Sequence, residues 1–150
     1  MEPKDDIGSH LKAAKMVAGA IIASMAVYLA LVEVLRAALK PFRGLATVAD
    51  LQPVRYAAFA AAAAVILLIL VLRPRLFRRK EGEGRASGLM RLQRAALLTM
   101  VLAEIPAILG LVLFLIGGGA ADFYKLLFAS LVLAFIHFPR GGAWEESLKG

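Results

Sequence analysis

The chain has 150 residues, 61% hydrophobic and 19% charged, with a mean hydropathy of +0.76. Soluble domains average roughly 45–50% apolar and about 25% charged residues, so an ordinary soluble domain is excluded. The net charge of +7 would suit nucleic acid, but the cations sit beside apolar blocks. That is the pattern of membrane orientation, and it excludes nucleic acid as a partner.

Four apolar blocks follow one another. The first runs 16–35 with a single charge, Glu33. A helix of that length rises about 30 Å, the thickness of a bilayer core. It is too long for a signal-peptide core, and no A-x-A site closes it. The second block runs 56–72 and contains five consecutive alanines, Ala60 to Ala64. The third runs 95–116 with Glu104 as its only charge, and the fourth runs 123–138 with Lys125 near its start. Lys125 can snorkel to the interface. Backbone groups in lipid must pair internally, so all four blocks are predicted to be helices. The expected fold is all-α: one polytopic membrane domain over 1–150, with four transmembrane helices as two hairpins in parallel orientation.

Lysines and arginines orient the spans. Thirteen of the 18 fall in the first tail, the 73–94 linker and the last tail, and five fall on the other side. The positive-inside rule then puts both termini and the basic linker in the cytoplasm, with the protein in the inner membrane. The stretch Glu81 to Gly88 has a flexible composition and reads as a loop between hairpins. The linker's cations serve topology and contact with anionic lipid, at about 1 kcal/mol each near the surface; the sharper alternative is a docking site for a protein. Val65 to Arg75 and Ser130 to Arg140 both end in Pro-Arg. Either a repeated hairpin or the ordinary preference for proline after a helix explains that likeness.

Glu104 carries the most information. A charge at the bilayer centre costs about 2.5–3.5 kcal/mol on insertion scales, and burial disfavours the ionised form. Such a group either exchanges a proton at membrane depth or hydrogen-bonds two helices together. Glu33 is three residues from Arg36, on one helix face, and reads as an interfacial ion pair. Ala96, Ala103, Gly110 and Gly117 recur every seven residues, with Ala107 beside them. They form a stripe where another backbone can approach, and the alanines of the second block offer a partner surface. Pro106 removes one backbone donor two residues after Glu104.

Leu102 to Val112 reads LAEIPAILGLV. It resembles the carboxylate-bearing helix of the c subunit, or proteolipid, of rotary ATP synthases, which reads much like A-E-x-x-A-I-Y-G-L-V. Ala103, Glu104, Ala107, Ile108, Gly110, Leu111 and Val112 match, and the likeness extends over 88–117. It implies that Glu104 stands at the ion-carrying carboxylate and that hairpins pack side by side in a ring. Leu109 stands where the family usually has tyrosine, Pro106 is an intrusion in the pattern, and the acid lies on the third span where a duplicated proteolipid carries it on the second of a hairpin. The chain also looks like uncharacterised small bacterial four-helix membrane proteins that end in Phe-Pro-Arg and then Trp-Glu, here Phe138 to Arg140 and Trp144-Glu145.

An enzyme is not expected, since no nucleophile–base–orienter set is visible. No P-loop, dinucleotide fingerprint or metal-spaced cluster occurs, so neither cofactor nor metal is expected. Cysteine is absent, and the two histidines, His10 and His137, are far apart. His137 reads as interfacial, exposed to headgroup water. Two functions stay open: an ion-handling membrane subunit with Glu104 titrating, or a non-transporting assembly or accessory protein. The expected partners are the bilayer and other membrane helices, from further copies or a membrane complex.

Overall fold

The computed structural model describes residues 3–46, 50–78 and 84–149, and every regular element among them is a helix. The five are α1 (Pro3–Ala38), α2 (Gln52–Phe77), α3 (Arg85–Gly117), α4 (Ala120–Ile136) and α5 (Gly141–Lys149). Three of them, α1, α2 and α3, contain stretches long and apolar enough to cross a membrane. The chain is a membrane protein on that ground. α4 has 17 residues, so it rises about 25 Å, short of a core of about 30 Å.

The helices outrun the apolar blocks because their polar ends also hold helix-forming residues. α1 begins at Pro3, well before the expected 16, and α3 begins at Arg85, inside the stretch expected to be a flexible loop. Arg79 and Lys80 of that linker lie outside the described residues. The two Pro-Arg exits differ. α2 continues through Pro74 to Phe77, whereas α4 stops at Ile136, ahead of Pro139.

The hub of the bundle is α3, which packs on α1, α2 and α4. α1 runs parallel to it, with His10 hydrogen-bonded to Gln93 and Tyr28 to Glu104. α2 and α4 run antiparallel to it. Ala58 and Ala62 meet Leu113 and Leu126, and Ile69 meets Ala103 and Leu133. α3 and α4 form a tight hairpin. α1 and α2 each pack chiefly on that hairpin, so the two halves of the chain are not equivalent in packing.

The start of α1, the end of α2, the start of α3 and α5 lie at one end of the bundle. There Trp144 of α5, 1% exposed, packs with Ala14, Leu89, Leu92 and Ala96. At the other end, segment 39–46 folds onto the α3–α4 turn. Phe42 stacks on Phe114 at 4.8 Å, and the Leu45 N–H donates to Leu115 O at 2.6 Å. Gly118 caps α3 at φ 72°, a left-handed conformation that glycine adopts without a Cβ penalty. The outer surface is apolar as well as the interior. Phe128 is 69% exposed and Val27 63%, the inverse of a soluble protein and suited to lipid.

Candidate functional site

Glu104 sits nine residues into the apolar block of α3, near the middle of the bundle. One of its oxygens, Oε1, accepts two hydrogen bonds from α1. Ser24 Oγ donates at 2.5 Å and Tyr28 OH at 2.7 Å. Ser24 and Tyr28 are four residues apart, so a single face of α1 presents both hydroxyls. Ser24 Oγ also lies 2.7 Å from Ile21 O on its own helix. Glu104 is half-buried, and its neighbours Val101 and Ile108 on the open side are exposed and apolar. No lysine or arginine among the described residues pairs with it. Its polar partners among the described residues are hydroxyls. A carboxyl so placed can hold a proton on its second oxygen while Oε1 keeps both bonds.

Below Glu104, Pro106 interrupts the helix ladder because it has no N–H. Ser130 Oγ of α4 accepts the next N–H, that of Ala107, at 2.8 Å. Thr99, five residues before Glu104, donates to Ala95 O at 2.7 Å within α3.

Glu33 and Arg36 pair at 3.2 Å, with about half of each side chain exposed. Tyr124 of α4 joins them: its hydroxyl accepts from Arg36 at 2.6 Å and donates to Glu33. Nearby, Arg55 of α2 grips Asp122 with two bonds, at 2.6 Å and 2.9 Å. These pairs tie α1 and α2 to the start of α4.

The small residues of α3 do not share one partner. Ala96 touches the α5 cluster, and Ala103 meets Ile69 and Leu133. Ala107 lies in the main core with Phe114 and Phe123. Gly110 faces α4, not the alanines of α2: a Cβ there would lie 3.1 Å from Phe123 Cα and from Leu126 Cβ. Gly117 abuts Leu51. The short turn at Gly118-Gly119 folds α4 directly back on α3, so Phe123 and Leu126 occupy the space beside Gly110. His137 is 7% exposed and its Nδ1 lies 2.8 Å from Leu133 O, so it is buried where exposure was expected. It stands at the C-cap of α4, where its ring turns back on that helix and lies near Arg73 of α2.

Ser24, Tyr28 and Tyr124 are the residues that sequence reasoning did not join to the acids, and Ser130 the one it did not join to the turn after Pro106. Their signal was a hydroxyl in an apolar run, which identifies neither the helix nor the face it meets. Comparison with protein-family models, with curated proteins and with solved structures gives no match.

Proposed function

We propose that this chain is an integral membrane subunit in which Glu104 binds and releases a proton. The observation that carries the reading is an acid near the middle of an apolar helix whose partners, among the described residues, are two hydroxyls and no cation. Both hydroxyl bonds go to one carboxyl oxygen, so they persist whether or not the other oxygen carries a proton. The sequence likeness of 102–112 to the proteolipid helix supports the same role and extends it to ion handling within an assembly of hairpins. In this reading α4 is the fourth span, tilting little and drawing its polar ends to the interface. Both termini and the 73–94 linker face the cytoplasm.

A second reading is supported by the origin of the donors. Both hydroxyls come from α1 while the acid is on α3, so the cluster also clamps two helices. Under it the protein is an accessory or assembly subunit and Glu104 stays neutral.

Glu104→Gln separates the two, because glutamine keeps the shape and an accepting oxygen but cannot titrate. The protein is reconstituted in vesicles enclosing a pH-sensitive dye, and a potassium diffusion potential is applied. Proton flux in the native chain that vanishes in Glu104→Gln establishes the first reading. Equal flux in both, or none in either, leaves the clamp. Labelling by a hydrophobic carbodiimide, which attacks protonated buried carboxyls, checks the protonation state directly.

A further inference from the structure

The face of α3 that α1, α2 and α4 leave uncovered ends, on the side of the chain termini, in an open cavity of about 520 Å³. Its rim carries Arg91, Arg94 and Ser87, its walls are Leu76, Met90 and Leu98, and among the described residues no carboxylate lines it. Arg91 Nη1 donates to Leu76 O at 2.6 Å, which pins that guanidinium to the end of α2. Arg94, three residues on and on the same face, is exposed. It lies ten residues before Glu104, about 15 Å along the axis, which is the depth of an interface if Glu104 marks the middle. From there the exposed side chains of Leu98, Val101 and Ile108 continue down the same face.

A cationic rim over an apolar wall, at interface depth and open to the side, matches one molecule that is anionic at one end and hydrocarbon below it. We infer that this groove is a binding site for an anionic phospholipid. Its phosphate lies between Arg91 and Arg94, and an acyl chain runs along Leu98 and Val101. A free phosphate would use the arginines and leave the apolar wall bare; a zwitterionic lipid would bring its own cation against them. The inference rests on the chain lying in a membrane, not on the proton chemistry of Glu104.

The test uses the full chain in detergent with equal phosphatidylglycerol and phosphatidylcholine of matched chains, and reads bound lipid by native mass spectrometry. The native chain retains phosphatidylglycerol in preference. Arg94→Gln lowers that retention about fivefold, as one interfacial cation should. Met90→Glu, which sets an anion on the same rim, lowers it too and decides the matter if Arg94→Gln is unstable. Arg43→Gln at the opposite end and Glu104→Gln leave it unchanged, so failure here is separable from failure at Glu104. Equal retention of the two lipids, no loss in either rim variant, or full displacement by excess inorganic phosphate overturns the inference.

Discussion

Ser130 on α4 accepts the backbone N–H of Ala107 on α3 at 2.8 Å, one residue past Pro106. The proline opens the helix ladder, and a hydroxyl from the neighbouring helix occupies the disturbed turn. The bond is fully buried, with Ser130 at 0% exposure. Ser130→Ala should therefore destabilise the hairpin by about 1 kcal/mol, within the range of about 0.6–1.7 for polar bonds between membrane helices. Pro106→Ala in the same background should recover most of that loss, because the continuous ladder no longer needs a partner. Reversible unfolding in mixed micelles, run as a double-mutant cycle, measures the coupling; additive losses would refute it.

The Tyr28–Glu104 bond should behave as a discrete interhelical interaction. Tyr28→Phe removes the donor and leaves the ring. The coupling between Tyr28→Phe and Glu104→Gln is expected at about 0.6 kcal/mol, the average for such bonds. Ser24→Ala should couple to Glu104 similarly and couple to Tyr28, since both donors share one oxygen.

Two helical glycines should respond oppositely to alanine. A Cβ at Gly110 meets Phe123 backbone at 3.1 Å, so α4 must give way; Gly110→Ala should cost about 1–3 kcal/mol. Gly19 has nothing within 4 Å. Gly19→Ala should be stabilising by up to about 1 kcal/mol through helix propensity. Thermal unfolding of both variants in one detergent gives the comparison.

Trp144 is the single tryptophan and is 1% exposed against Leu89 and Leu92. Its emission should be blue and poorly quenched by aqueous iodide. Leu92→Ala should shift it red and raise quenching, because α5 loses its seat. Trp144→Ala should cost about 3–5 kcal/mol if α5 unfolds together with the bundle, and little if α5 releases separately.

The cysteine-free chain allows a direct test of orientation. Single cysteines at Ser87 and Ala46, both exposed, lie at opposite ends of the bundle. A membrane-impermeant maleimide applied to intact cells should label Ala46→Cys alone, with Ser87→Cys reacting after the membrane is opened. The reverse pattern would invert the topology.

Much of this architecture follows from local arithmetic. Apolar blocks of membrane length must close their own backbone bonds in lipid, so the helices of 16–35, 56–72 and 95–116 and the exposed acid–base pair Glu33–Arg36 are legible residue by residue. Proximity across helices is not. Nothing local says that Tyr28 reaches Glu104, that Gly110 seats Phe123 and not an alanine of α2, or that Trp144 closes the basic end. Those depend on which faces a two-residue turn and a longer 39–51 connection bring together, and on the packing of side chains from three helices around α3. Periodicity names a face, and only the fold chooses what it touches.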